Sequence, residues 1–337
     1  MSDTTGATRP DPSAPPPEPV PAGPGTPGRA WKATKAGAAS AFRTVLFLVS
    51  IMVPVSLAVS LLNWSGALPW AAGYLAPVMK LLGLPGEAAL AFVSSVFLNI
   101  YSAIAAMETL SLTARETTIL AVMCLTAHNM IVETTVMKKT GSSALKMIIL
   151  RLGMAVLAAW VINLLLPVRD AGRVVAAATA SGAPLVDVLR AWGLSTARLV
   201  LKVVVLVSAI MVGQKLLEEF KVTEFLSKLF APLMKVFGLS DSSSFLWIII
   251  NVVGYAYGAA VIMDRVKDGK MKRQDADLFN HHAALCHSLL EDTALFLAIG
   301  VSLFWLVMPR LLMALFVVWF ERIRRRRFRN SLRVGRA

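Results

Sequence analysis

The sequence predicts an all-α, polytopic membrane protein built from two homologous repeats, and three observations support that prediction. The chain has 337 residues, of which 56% are hydrophobic and only 16% are charged, against roughly a quarter charged in a soluble domain. Its apolar segments are long enough to cross about 30 Å of hydrocarbon as helices. The third observation is an internal repeat, which relates the two halves of the chain.

The apolar segments predict helices, because every backbone amide in lipid must be hydrogen-bonded within the chain. These segments are 43–62, 88–107, 117–137, 145–166, 199–217, 245–263, 278–297 and 302–320. Two shorter, amphipathic segments, 64–82 and 218–237, predict helices that lie in the membrane interface.

Composition divides the chain into terminal tails and two membrane repeats. Residues 1–28 hold nine of the 17 prolines and few large apolar side chains, which is typical of disorder and not of a signal peptide. The predicted parts are a disordered cytoplasmic N-terminus at 1–40, membrane repeat 1 at 41–167, a connecting loop at 168–195, membrane repeat 2 at 196–321 and a basic cytoplasmic tail at 322–337.

The formal net charge of +14 would suggest a nucleic-acid partner in a soluble chain, but its distribution excludes that interpretation. Eight arginines and one glutamate lie between Glu321 and Ala337, directly after an apolar run. Such a cluster is typical of a cytoplasmic juxtamembrane segment that contacts anionic lipid. Cys124 and Cys286 both lie in apolar segments, so a disulfide framework and a four-cysteine zinc site are excluded.

The internal repeat is clearest in a nine-residue block. Residues 76–84 (APVMKLLGL) return as 231–239 (APLMKVFGL), with six identities at an offset of 155. Further along, an offset of 159 aligns 128–160 with 287–319 at nine identical positions, among them rare His, Arg and Trp residues. Compositional bias is a poor explanation for such matches, so the halves are predicted to be homologous.

The orientation of the repeats depends on how segments 88–107 and 245–263 enter the membrane. If each crosses once, the repeats are parallel, with about 22 flanking basic residues inside and eight outside. If both are re-entrant hairpins, the repeats are inverted and the division is about 24 to six, which the positive-inside rule favours by a small margin. Polar and small residues interrupt both segments at corresponding places, as in a mid-membrane site made of broken helices.

Ionisable residues inside the apolar segments are paired by the repeat. His128 and Glu133 match His287 and Asp292, and the second half adds Glu291. On insertion scales each such group costs roughly 2.5–3.5 kcal/mol, so each needs a partner, a cavity or a function. We predict either a central site, where carboxylates take a cation or proton and imidazoles titrate or bind substrate, or ion pairs that only orient packed helices.

The spacing of these residues makes further predictions. Arg151 and Arg310, on the helix that follows in each half, are the expected counter-charges of the two matched carboxylates. His287 and Glu291 are four residues apart, so an unbroken helix would hold them on one face as a hydrogen-bonded pair. The corresponding pair in the first half is five residues apart, and would meet only where its helix is broken.

Other polar residues are candidates for an organic-substrate path or, alternatively, for ordinary packing at helix breaks. They lie at the predicted hairpin tips: Asn99, Tyr101, Ser102, Asn251, Tyr255 and Tyr257. His282, Cys286 and His287 are weak candidates for a transition-metal site, but the first half offers no matching ligand set, so no metal or other cofactor is predicted. The sequence contains no Gly-rich phosphate loop, Ser-His-Asp order or HExxH string, which argues against an enzyme.

Two repeated blocks resemble the nucleoside recognition, or Gate, domain family: residues 98–106 (LNIYSAIAA) and 125–133 (LTAHNMIVE). That family includes the spore maturation proteins A and B, and similar repeats occur in concentrative nucleoside transporters and in the membrane part of the ferrous-iron transporter. The resemblance covers residues 41–321 and implies inverted repeats with re-entrant hairpins. The cysteines typical of the iron transporter are missing from both blocks, which argues against iron.

The sequence therefore predicts a transporter or permease of the bacterial inner membrane for a small polar or charged solute, with both termini cytoplasmic. Glu133, Glu291 and Asp292 are the predicted cation or proton ligands, and His128 and His287 line the substrate path with Asn99 and the hairpin tyrosines. A non-transporting scaffold or assembly protein is the main alternative, and a divalent-metal permease is the third. The expected partners are the lipid bilayer, with anionic lipid at the basic tail, and a small molecule or ion as substrate. The sequence leaves open whether the chain forms a homo-oligomer.

Overall fold

The computed structural model describes residues 26–167, 184–240 and 243–334, and the secondary-structure elements in these ranges are all helices. The predictions for 1–25, most of the connecting loop and 335–337 lie outside the described residues. The helices are α1 (Thr26–Trp64), α2 (Ala67–Leu81), α3 (Ala88–Phe97), α4 (Ile100–Met107), α5 (Ala114–Ala127), α6 (Met130–Lys139), α7 (Ala144–Leu165), α8 (Leu185–Glu219), α9 (Val222–Val236), α10 (Ser244–Ile248) with a π-helical continuation (Ile249–Val253), α11 (Tyr255–Lys267), α12 (Arg273–Ala283), α13 (Leu289–Ala298) and α14 (Leu303–Val334).

Five stretches of the described residues are long and apolar enough to span a membrane, which confirms an all-α membrane protein. They are Pro27–Trp64, Ala114–Lys139, Ala144–Leu165, Leu185–Glu219 and Leu303–Arg327. Each overlaps a predicted crossing. The sixth predicted crossing, 278–297, is not among them. Residues 284–288 separate its helices α12 and α13, whereas only residues 128–129 separate α5 from α6.

Helices α1 and α8 form the longest contact in the structure and run antiparallel along their whole lengths. Near the start of α1, Arg29 Nε donates to Glu219 Oε1 at 2.8 Å, at the end of α8. Far along α1, Ser56 Oγ accepts from Trp192 Nε1 at 3.1 Å, near the start of α8. Between these contacts the backbones approach closely at Gly37, where an added Cβ would lie 2.6 Å from the Cα of Val212.

This pairing corrects two predicted boundaries. Residues 26–40, expected to be disordered, form the first part of α1, and residues 185–195, expected to be loop, form the start of α8. The prolines that indicated disorder lie almost entirely before residue 26, and the following stretch is rich in alanine, a strong helix former. Each extension is also stabilised by a distant partner, 190 residues away for Arg29 and 136 residues away for Trp192, which local composition does not reveal.

Four predicted apolar segments are each divided into two helices. Segment 88–107 becomes α3 and α4, 117–137 becomes α5 and α6, 245–263 becomes α10 and α11, and 278–297 becomes α12 and α13. Continuous helices were expected for the second and fourth of these segments, and that expectation is wrong. The breaks are possible inside an apolar core because other parts of the chain bond the freed backbone groups.

Several backbone turns recur at positions that the sequence repeat pairs. Gly83 and Gly238 end α2 and α9 with φ values of 73° and 70°, in the left-handed region that glycine adopts without strain. The following amides, of Leu84 and Leu239, bond back to helix carbonyls at 3.0 and 2.8 Å. Gly83 has no room for a side chain, because an added Cβ would overlap Asn163.

The core surrounds α5, whose residues from Thr118 to Ala127 are all buried. This helix packs against α3, α4 and α7, and also against α14 from the second half. α12 is likewise buried over most of its length and packs on α14. The C-terminal ends of α5 and α12 therefore lie in the interior. His128 directly follows the end of α5, and His287 comes four residues after the end of α12.

The close approach of α1 to α8 predicts a steric effect at Gly37. We expect Gly37→Ala to lower the free energy of unfolding by about 1–3 kcal/mol, because the new methyl group must displace the α8 backbone. Gly213→Ala, beside Val212 in α8, is the matched control, since an added Cβ there meets nothing within 4 Å. Denaturant unfolding in mixed micelles measures both variants, and equal stabilities would contradict the close approach.

Candidate functional site

The candidate site begins at a helix break between α5 and α6. His128 has an extended backbone conformation, and Asn129 is left-handed, with φ 48° and ψ 38°. The Asn129 amide no longer bonds within a helix and donates instead to the carbonyl of Ser95 at 2.9 Å. Because of this break, the side chains of His128 and Glu133 meet although they are five residues apart.

The same backbone geometry recurs in the second half. Ser288 is left-handed, with φ 49° and ψ 37°, and its amide donates to the carbonyl of Ile250 at 2.8 Å. The break directly follows His287, as the first break directly follows His128. The two breaks thus present one imidazole each toward the interior between the halves.

The two histidines face each other with their Nε2 atoms. His128 Nδ1 lies 3.2 Å from the carbonyl of Cys124, and His287 Nδ1 lies 2.7 Å from the carbonyl of Ala283. A carbonyl only accepts, so each neutral ring carries its proton on Nδ1 and leaves a lone pair on Nε2. The two Nε2 atoms are 3.4 Å apart, and both residues are buried.

Glu133 completes a compact group with the two imidazoles. Its Oε1 lies 3.4 Å from Nε2 of His128 and 3.3 Å from Nε2 of His287. Its Oε2 lies 2.9 Å from Nη1 of Arg151. The carboxylate is 2% exposed and the arginine is fully buried, so this charge pair is removed from solvent.

Arg151 also bonds the backbone of the break. Its Nε donates to the carbonyl of Thr126 at 3.0 Å, and its Nη2 donates to the carbonyl of His128 at 2.7 Å. These carbonyls lack helical partners because α5 ends there. The guanidinium of Arg151 therefore bonds two carbonyls at the break and also pairs with the charge of Glu133.

Arg310 has the equivalent position in the second half, but its contacts are looser. Its Nη2 donates to the carbonyl of His287 and lies 3.6 Å from Oδ2 of Asp292. Its Nε and Nη1 are buried without a hydrogen-bond partner, as is Oδ2 of Asp292. That carboxylate oxygen is 3.8 Å from Nε2 of His128, so Asp292 borders the group of imidazoles.

Three further predicted residues lie beside this group. Tyr101 donates its hydroxyl hydrogen to Glu291 Oε1 and so links α4 of the first half to α13 of the second. The ring of Tyr255 lies 5.0 Å from the ring of His287, centroid to centroid. Its hydroxyl is buried without a hydrogen-bond partner, so the site contains unused polar groups.

The predicted pair of His287 with Glu291 is wrong. An unbroken helix would have brought these residues together, but the left-handed Ser288 separates them, and Glu291 bonds Tyr101 instead. His282 and Cys286 are also poor metal ligands. The groups of three ligand atoms found among the described residues do not include them, and His282 Nε2 accepts from Trp247 Nε1 at 2.8 Å.

The predicted hairpin-tip residues other than the tyrosines have structural contacts, and one of these is long-range: Asn251 Oδ1 accepts from the amide of Leu289 at 3.4 Å. Asn99 is the N-cap of α4, and its side chain accepts from the amide and the hydroxyl of Ser102 at 2.9 and 3.1 Å. The Asn251 amide donates to the carbonyl of Trp247 at 2.9 Å. Tyr257 belongs to α11, but its side chain lies outside the described residues.

A second polar cluster, which the sequence did not predict, lies where α7, α12 and α14 meet. Asp277 bonds Ser142 and Arg325, and Glu321 lies 2.9 Å from the ammonium of Lys146. Asp277 and Glu321 border a cavity of about 880 Å³, whose basic lining consists of Lys146 and five arginines, Arg325 among them. The sequence of the basic tail, with Glu321 at its start, indicated charge here, but its second acidic partner, Asp277, lies 48 residues before Arg325 and gave no signal.

Comparison with known proteins identifies the family. A model of the nucleoside recognition (Gate) domain matches residues 45–144. The chain is also 32% identical to the uncharacterized membrane protein YvoD of Bacillus subtilis over 285 residues, 82% of this chain and 89% of that protein. The chain belongs to the Gate family of membrane proteins. The domain match contains His128 and Glu133, and no solved structure matches the chain significantly.

The buried arginine predicts a large stability effect in this Gate-family protein. Arg151→Met would leave Glu133 and two carbonyls unpaired, so we expect the free energy of unfolding to fall by about 3–5 kcal/mol. Adding Glu133→Gln should restore part of that loss, because the uncompensated charge is then removed. Denaturant unfolding in micelles measures each variant.

Arg324→Met is the matched control, since this arginine also pairs a carboxylate, that of Glu321, but is 54% exposed. We expect its effect to stay below about 1 kcal/mol. Equal losses for the Arg151 and Arg324 variants would contradict a structural role for the buried arginine.

Proposed function

We propose that the chain is a transporter for a small polar or charged solute, and that the buried group at the two helix breaks is its binding site. The observation that carries the proposal is the convergence of His128, Glu133, His287 and Asp292 from both halves into one buried group. Ionisable groups within a membrane interior are costly, and they commonly mark ion or substrate pathways. Because the group bridges the halves, movement of one half against the other would open or close it.

We propose further that the halves are inverted repeats. Helices α1 and α8 correspond at an offset of 155, and their antiparallel packing supports opposite orientations in the membrane. The matched turns at Gly83 and Gly238, and the matched breaks after His128 and His287, support a common local fold. A site between such repeats fits the general arrangement of secondary transporters.

Re-entrant hairpins are part of the same proposal. Helices α3 and α4 have ten and eight residues and pack on each other, and helices of that length reach only about 12–15 Å. That is half of the hydrocarbon thickness, so the pair fits entry and exit on one side. α10, its π-helical continuation and α11 have the corresponding place in the second half, and α2 and α9 are the proposed interfacial helices.

The contacts also support a common side for both termini. The start of α1 pairs with the end of α8 through Arg29 and Glu219, and the end of α9 bonds α14 through Trp319. The basic tail lies on the same side as these ends. By the positive-inside rule, this side is cytoplasmic. The chain then lies in the inner membrane, and its basic tail contacts anionic lipid at the cytoplasmic surface.

Transport predicts that the carboxylates of the site are required. We expect Glu133→Gln with Asp292→Asn to lower uptake at least tenfold in proteoliposomes screened with uridine, sodium, phosphate and divalent cations, because the site loses its two carboxylate charges while Arg151 and Arg310 stay positive. Glu224→Gln, on exposed α9, is the control and should keep the wild-type rate. Unchanged uptake in the double variant would exclude these carboxylates from the path.

The scaffold alternative is tested by removing residues 328–337. This deletion leaves Arg325 with Asp277 and Arg324 with Glu321, so the fold should stay intact. A transporter keeps its uptake rate after the deletion, whereas a scaffold that acts through the tail loses its function. Loss of uptake with unchanged folding would therefore contradict the proposed role of the membrane core.

The inverted arrangement predicts where single cysteines react. Lys138 and Lys80 are both exposed, and the proposal places the first on the cytoplasmic side and the second outside. We expect an impermeant maleimide to label Lys80→Cys in intact cells and Lys138→Cys only after lysis. The native Cys124 and Cys286 are buried and give a low background, and labelling of Lys138→Cys in intact cells would overturn the inverted repeats.

A further inference from the structure

We propose that His128, His287 and Glu133 form a binding site for one divalent transition-metal ion, with tetrahedral geometry of the kind Zn²⁺ prefers. The inference rests on the proposed function, because it names the class of solute that the buried site takes. The three ligand atoms are Nε2 of each histidine and Oε1 of the glutamate. They come from both halves of the chain and are buried together.

The distances between the ligand atoms carry the proposal. They are 3.4 Å between the two nitrogens, and 3.4 and 3.3 Å from each nitrogen to the oxygen. A tetrahedral ion with bonds of about 2.0–2.1 Å separates its ligand atoms by about 3.3–3.4 Å. An octahedral ion such as Mg²⁺ would separate neighbouring ligand atoms by only about 2.9 Å, and two imidazoles are ligands typical of zinc, not of magnesium.

The surroundings of the ligand atoms have the features of a built metal site. Both Nδ1 atoms are held by helix carbonyls, of Cys124 and Ala283, and such bonds fix the tautomer that presents Nε2 to an ion. Oε2 of Glu133 is held by Arg151, which orients the free Oε1 toward the imidazoles. Each ligand is therefore fixed by a contact on its far side.

A shared proton explains the distances less well. Three acceptor atoms face one another here, and a proton would draw one pair to about 2.7–3.2 Å, the normal length of a hydrogen bond. All three distances are instead longer and nearly equal. An ion at the centre would lie about 1.9 Å from each atom in their plane, and a small displacement out of the plane gives normal bond lengths.

The site leaves one position for a fourth ligand, as expected where an ion must enter and leave. Asp292, with an unbonded oxygen 3.8 Å from Nε2 of His128, borders that position. Arg151 and Arg310 lie nearby and weaken the attraction for a cation. This balance suits a transported ion, which must bind firmly enough to enter and weakly enough to leave.

The chain offers an internal comparison, since Asp277, His281 and Glu321 also lie close enough to hold an ion. There, however, Glu321 is bonded by Lys146, Arg324 and Arg325. Its oxygens are therefore already engaged by three cations. At the buried site, by contrast, one carboxylate oxygen and both Nε2 lone pairs stay available.

The test is metal binding by the purified full-length protein in detergent, with Zn²⁺ and Co²⁺ as probes. We expect one Zn²⁺ per chain in equilibrium dialysis, and with Co²⁺ the strong visible absorption of a tetrahedral ion. His128→Asn and His287→Asn should each weaken Zn²⁺ affinity by about 100-fold or more, beyond the 10–100-fold typical of outer-shell changes. His282→Asn, which alters a buried imidazole outside the site, should bind as the wild type does.

The outcomes separate this inference from the proposed function. Absence of tetrahedral Co²⁺ absorption in the wild-type protein, or wild-type affinity in both histidine variants, overturns the metal site even where a variant folds poorly. Uptake of another solute without Zn²⁺ binding overturns the metal site and leaves transport standing. Stoichiometric binding without Zn²⁺ flux into proteoliposomes that contain a fluorescent chelator supports the site and contradicts transport.

Discussion

The site depends on one constraint: a helix broken inside an apolar core must have its backbone groups bonded by something else. Ser95 and Ile250 accept the amides that the two breaks release, and Arg151 and Arg310 donate to the carbonyls of the two histidines. The arginines are thus needed to bond the backbone at the breaks, whether or not they also neutralise a carboxylate. The guanidinium of Arg151 also lies 2.9 Å from Glu133, so the break after α5 and the buried charge of Glu133 are stabilised by the same arginine.

Much of this arrangement was predictable, because the internal repeat pairs rare polar residues wherever their helices lie. The pairing of Glu133 with Arg151 followed from the repeat and from charge alone. The helix breaks could not be predicted in this way, because His128–Asn129 and His287–Ser288 contain neither glycine nor proline and lie within apolar runs. Each break is stabilised by a carbonyl more than 30 residues away, and local sequence does not report such partners. Placing Glu291 on an unbroken helix therefore led to the wrong contact.

The two matched carboxylates of the site, Glu133 and Asp292, differ by one methylene group. Glu133 reaches both the arginine and the imidazoles, whereas the shorter Asp292 stays 3.6 Å from Arg310 and 3.8 Å from His128. The repeat positions are equivalent, but only one carboxylate joins the compact group. A single chain can depart from symmetry in this way, since each half changes independently. The result is three close ligand atoms beside one carboxylate, that of Asp292, which lies outside the compact group.

The antiparallel pairing of α1 and α8 has a consequence for biosynthesis. Helix α1 leaves the ribosome first, yet its partner is completed only at Glu219, more than 150 residues later. The face of α1 that packs on α8 therefore stays without this partner until α8 is synthesised and inserted. The final packing of the first half thus depends on synthesis of the second half, because α1 belongs to the first half and α8 to the second.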